Sequence, residues 1–95
     1  MGTKQNPGAF DCYANAQADE PMFVLLARDA SAPRLVLMWA SEREELIQRG
    51  EKPESDRAMV AEARLCAQQM AEWRARRERV ARFSPDGITW ADPCI

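Results

Sequence analysis

The sequence predicts one all-α domain: a short first helix, then an antiparallel hairpin of two longer helices. Three observations predict it. Met59, Ala63, Cys66, Met70, Trp73, Arg77 and Val80 recur in alternating steps of four and three, the seam of a helix that packs along another. No glycine or proline falls between Asp56 and Phe83, where Ala, Arg, Glu, Gln, Leu and Met dominate. These residues lose least on becoming helical. Two acid-or-serine and proline boundaries, at 19–21 and 29–33, mark places where helices start.

The elements follow in order. Residues 1–18 are polar, with Gly2, Pro7 and Gly8, and read as a loose arm tacked down by Phe10 and Tyr13. Asp11 offers weak support for one helical turn behind it. Asp19-Glu20-Pro21 reads as the start of the first helix, which takes in Met22-Phe23-Val24-Leu25-Leu26 and stops at Arg28-Asp29. The same apolar run is compatible with a buried strand, and the tail at 88–90 is what such a strand would pair with. Helix is preferred because proline opens the run. Ser31 caps the second helix, from Ala32 to about Arg49, with Pro33 in its first turn. Leu35, Val36, Trp39, Ala40, Leu46 and Ile47 are assigned to the core, and Glu42 to Glu45 to solvent. Gly50 ends the helix as a left-handed residue.

A short loop, 50–54, makes the next helix an antiparallel neighbour. Ser55 is expected to cap it. At 1.5 Å per residue the long helix measures about 42 Å and its partner about 27 Å. The end of the long helix therefore overhangs and needs another surface, which argues for a homo-oligomer. Ser84-Pro85-Asp86-Gly87 reads as a turn and 84–95 as a tail.

Composition narrows the function classes. The chain has 95 residues, 46% hydrophobic and 29% charged, enough for one modest core. A net charge of −2 gives no general attraction to nucleic acid or anionic lipid. No apolar run suits a membrane span, and no leader is legible at Met1 to Gln5, so a cytoplasmic setting is expected. Three cysteines, Cys12, Cys66 and Cys94, match no zinc or disulfide spacing. Cys66 lies on the seam and reads as a small core hydrophobe. There is no histidine, which removes the commonest general base and metal ligand. No glycine-rich phosphate loop is present, and Glu44-Glu45 lie on adjacent faces of a solvated helix rather than forming a catalytic pair. The expectation is no enzyme activity, no cofactor and no metal.

One feature suggests chemistry. Residues 73–83 hold five arginines, Arg74, Arg76, Arg77, Arg79 and Arg82, against Glu78. Forked guanidinium donors suit phosphate groups, although cations near a helix C-terminus also complement its dipole. Arg77 stands apart because it occupies the seam, where arginine implies a buried partner, a subunit contact or a ligand. Arg28-Asp29 reads either as the solvated end of the apolar run, with Asp29 capping helix two, or as part of a site. Tyr13 either stacks on a flat ligand or seals the arm. Trp39 and Trp73 read as core.

Asp19-Glu20-Pro21, Phe23-Val24-Leu25, Ala27-Arg28-Asp29, Ala32-Pro33, Trp39-Ala40, Val60-Ala61-Glu62-Ala63, Cys66-Ala67, Met70 and Trp73 resemble a family of small proteins encoded by phages and prophages. The likeness covers about residues 10–75, and its motif carries no assigned chemistry. It implies context: small phage proteins act by binding. Some are helical, oligomeric sponges that sequester nucleotide signals of host defence, and others inhibit or assemble with a protein through a helical face. The first implication makes an anionic nucleotide the expected ligand. Tyr13, Arg28, Asp29 and Arg77 are the expected binding residues, with Asp29 orienting an arginine. The second makes a host or phage protein the partner. Direct nucleic-acid binding ranks below both.

Overall fold

The computed structural model describes residues 1–83, and the expected turn and tail at 84–95 lie outside them. The described residues are helical and contain no strand. α1 is a single turn, Cys12–Asn15; α2 runs Ala32–Gln48; a 3-10 turn, Glu54–Asp56, leads into α3, Arg57–Phe83. α2 and α3 pack along each other as the antiparallel hairpin that the short loop requires. Arg43 meets Asp56 of the 3-10 turn, Glu44 meets Arg64, and before α2 begins the Arg28 carbonyl meets Arg74. From Glu44 back to Arg28 the partner on α3 thus moves on from Arg64 to Arg74, the sense of an antiparallel pair.

The loop itself obeys local rules. Gly50 has φ +76°, the left-handed conformation that lets a helix stop. The Gly50 N–H donates to the Ile47 carbonyl, and the Glu51 N–H donates to that of Leu46. These bonds satisfy acceptors that the last turn of α2 would leave open.

The expected first helix at 21–28 does not form. Glu20 turns backwards: its carboxylate accepts the Gln17 N–H at 3.0 Å, and its own N–H donates to the Gln17 carbonyl. The acid is thereby taken from the N–H groups of residues 22 and 23 that a cap would serve. The chain then runs without regular structure to a turn closed by Asp29 N–H and the Leu26 carbonyl. Phe and Val gain little from helix intrinsically. The short helix forms earlier instead, where Asp11 Oδ1 accepts the N–H groups of Tyr13 and Ala14 at α1.

Two caps also differ from expectation. Ser31 holds the N-cap position of α2, but its side chain makes no capping bond. Asp29 acts in its place, its Oδ1 accepting the Ser31 N–H at 2.9 Å and its carbonyl accepting the Ala32 N–H at 3.0 Å. Ser55 caps nothing, because it lies inside the 3-10 turn.

The core is built from small residues. Ala32, Ala40, Ile47, Val60, Ala63, Cys66 and Ala67 are buried, and no large side chain is fully buried among the described residues. Alanines at the seam let two helix backbones approach closely, since little side chain stands between them. Ala40, Ile47, Val60 and Ala63 form the central cluster, with Met1 and Val36 packed on its edge. Leu35 and Trp39, assigned to the core from sequence, are instead exposed. The Trp39 ring has the Arg43 guanidinium 5.2 Å from its centre, a cation–π contact at the surface.

Candidate functional surface

Large apolar side chains lie outside this small-residue core. Ten are exposed among the described residues, and eight of them fall between positions 22 and 39: Met22, Phe23, Val24, Leu26, Leu35, Leu37, Met38 and Trp39. Phe23 is the extreme within that stretch, at 70% of its full exposure. The stretch joins the irregular run before α2 to the first two turns of the helix. Leu35-Val36-Leu37-Met38-Trp39 is apolar at every helical phase. A helix apolar all round is built to be covered on more than one side, whereas α3 covers only the side of Ala32, Val36 and Ala40.

The backbone of the irregular run is also open. Among the described residues no hydrogen bond engages the main chain of Met22 to Leu25. Pro21 to Ala27 carries no charge, and Glu20 and Arg28 bound it on either side. No helix of the described residues is long and apolar enough to cross a membrane.

The arginine-rich end forms a second feature. Arg74 donates to the Arg28 carbonyl at 2.5 Å and pairs with Glu78 at 3.1 Å. The turn at 26–29 therefore covers α3 as far as Arg74, so part of the expected overhang has a partner within the chain. One turn on, the Arg77 guanidinium sits 5.1 Å from the centre of the Trp73 ring. Trp73 is half-buried, but Arg77 is exposed rather than sunk in the seam. The side chains of Val80 and Arg82 lie outside the described residues.

The four expected binding residues are thus only partly gathered. Arg28 and Asp29 share the 26–29 turn, and Arg74 ties that turn to the helix that carries Arg77. Asp29 is 8% exposed and accepts the Ser31 N–H, so its observed role is to cap α2 rather than to orient an arginine. Tyr13 sits on α1 at 76% exposure, and no hydrogen bond among the described residues joins its side chain to the other three. At that exposure it does not seal the arm.

Glu62 is the polar residue that sequence reasoning missed. It sits on α3 beside the core, and its carboxylate accepts the Ala9 N–H at 2.8 Å and the Phe10 N–H at 3.1 Å. The Met1 ammonium lies 3.5 Å away and also donates to the Pro7 and Phe10 carbonyls. The Ala9 N–H above all, then the Phe10 N–H and the Met1 ammonium, hold the Glu62 carboxyl below the usual glutamate range. The arm is therefore latched, not loose. The signal was available: Glu62 lies one position from buried Ala63 on a helix whose other acids face solvent.

The polar face of the hairpin is held differently. Glu44 pairs with Arg64 and with Arg57, and the Arg64 hydrogen bond chiefly lowers its carboxyl. Burial pushes the Cys66 thiol up, so it stays protonated and packs as a small apolar group. Among the described residues no group of three Cys, Asp or Glu is placed to hold a metal ion. Compared with protein-family models, curated proteins and solved structures, the chain matches none.

Proposed function

We propose that this chain is a protein-interaction module, acting by binding rather than catalysis, with residues 22–39 as its working surface. One observation carries the reading: the core takes the small residues while eight large apolar side chains crowd one stretch of the exterior. Contiguous exposed apolar area on a soluble chain marks a place that another surface covers. Phe, Trp and Met are also the residues that dominate the centres of such contacts. The resemblance to small phage-encoded proteins supports the same class of action, an inhibitor or assembly factor that works through its helical face.

Photo-crosslinking in cells tests this. A crosslinking amino acid at Met38 should give protein adducts, another copy of this chain included, while the same group at Ala61 on α3 should not. Adducts at Ala61 alone, or none at either position, would overturn the reading.

A second reading, an anionic nucleotide held at the arginine corner, draws on one observation. The Arg74 bond to the Arg28 carbonyl brings Arg28 towards Arg77 and Trp73, supplying forked donors beside a π-face. Thermal melting against a panel of linear and cyclic nucleotides checks it. A ligand present at 100 times its dissociation constant adds about 2.7 kcal/mol of stability. No shift with any of them would discard this reading and leave the first intact.

A further inference from the structure

We infer that the outer face of α2 packs on the same face of a second copy, the two helices antiparallel about a two-fold axis at Met38. The inference rests on the reading of 22–39 as the working surface and names what covers its helical part.

Arg34, Met38, Glu42 and Glu45 follow at steps of four, four and three, so they share one face of α2. Ala32, Val36, Ala40 and Ile47 hold the opposite face, the one turned to α3. All four outer residues are exposed, Met38 at 60%. Leu35 lies one turn before Met38 on the same side, and Leu37 and Trp39 flank it to left and right, all three exposed. Among the described residues Arg34, Glu42 and Glu45 have no ion pair, whereas Arg43, Glu44, Arg57 and Arg64 beside them are all paired. The face therefore carries a free base, an apolar centre and two free acids, in that order.

That order decides how a copy can dock. In a parallel pair Arg34 meets Arg34, and Glu42 and Glu45 meet their own copies, so like charges oppose each other throughout. In an antiparallel pair centred on Met38, the two Met38 side chains pack together with Leu35 beside them. Arg34 then comes level with the partner's Glu42 at each end of the contact, and the partner's Glu45 lies one turn beyond. A pair centred a turn earlier, on Arg34, sets base against base on the axis, and one centred a turn later, on Glu42, sets acid against acid. The apolar centre supplies the affinity, and the charges select orientation and register. A two-fold contact of this kind closes after two copies.

Two measurements on the full chain test the inference. By sedimentation equilibrium the wild-type protein should be dimeric at tens of micromolar. Arg34→Glu and Glu42→Arg should each weaken the dimer at least tenfold with unchanged helical circular dichroism, and the double exchange should recover most of that loss. The second measurement uses a chain carrying Cys12→Ser and Cys94→Ser. With an added thiol oxidant, Met38→Cys should give a disulfide-linked dimer, because a residue on the axis meets itself. Leu37→Cys, exposed but turned off the face, should stay largely unlinked. A monomeric wild-type chain overturns the inference. So do single exchanges that the double does not rescue, or positions 37 and 38 that link equally well. Crosslinking at Met38 to a different protein in cells, alongside a monomeric chain, would keep the interaction surface and discard only the second copy as its occupant.

Discussion

The loop half of the hairpin and the half that leads into it are built on opposite plans. Around the loop, small and aliphatic residues face inwards: Ala40, Ile47, Val60 and Ala63. Charged pairs cover the outside there, Arg43 with Asp56, Arg57 with Glu54, and Arg64 with Glu44. In residues 22–39 the bulky apolar groups face outwards, and only Asp29 and Ala32 are buried. The first half is complete within one chain. The second has the composition of an interior and the position of a surface. On the interaction reading proposed above, the two halves answer to different boundaries, solvent in one case and another protein surface in the other.

Ile47→Ala should have the largest effect on stability and would break the complete half. Removing a buried isoleucine costs about 2–5 kcal/mol, and few other aliphatic groups share this core, so chemical denaturation should show the chain close to unfolded. Phe23→Asp and Trp39→Ser probe the other half and should leave the helical content unchanged. Their effect should appear in assembly: the melting temperature of the wild-type chain should rise with protein concentration, as it does for any species that binds only when folded, and this dependence should vanish in both variants. Equal losses of helix in Ile47→Ala and Phe23→Asp would erase the contrast.

Acid sharpens the comparison from the arm. Glu62 has a folded-state pKa below its unfolded one. Its contribution is therefore fully present above the ordinary glutamate range and is lost as pH falls through the lowered value. Glu62→Gln should be less stable than wild type at neutral pH, and the gap should close in acid, as read by paired thermal melts. A gap that widened on acidification would reverse the sign assigned to the latch. The smallest effect belongs to Glu44→Gln. Its ion pairs are at the surface and screened by salt, so the melting temperature should barely move, and less at high ionic strength.

Much of the hairpin was legible. The absence of breakers from 57 to 83, the seam through Ala63 and Cys66, and the positive φ of Gly50 are local facts, and local physics decides them. The run at 21–28 was not legible because its signals were ambiguous in kind. Asp19-Glu20-Pro21 fits a helix start, but Glu20 bonds backwards to Gln17, and an apolar run without a polar face takes its conformation from whatever packs on it. Leu35 and Trp39 were misplaced for a related reason. Helical periodicity identifies a face only when the opposite face is polar, and in Leu35 to Trp39 no phase is. Of the expected binding residues, adjacency in sequence placed Arg28 with Asp29, whereas the burial of Asp29 and the exposure of Tyr13 depended on a tertiary path that no spacing encodes.

The Glu62 latch has a consequence for the order in which the chain assembles. Arg43 to Asp56 spans 13 positions and Glu44 to Arg64 spans 20, whereas Ala9 and Phe10 reach Glu62 across 53 and 52. Contacts closed over short loops form early and long closures later. The hairpin should therefore condense first and the arm dock last, onto a template already made. Its closing geometry is narrow: Gly8 has φ +81°, and a methyl group there would lie 2.3 Å from the Met1 carbonyl oxygen and 2.8 Å from a Glu62 oxygen. Ala9 and Phe10 amides should then exchange with solvent through openings of the arm alone, long before those of the hairpin. The ammonium and carboxylate that close the molecule would be the first contacts it gives up.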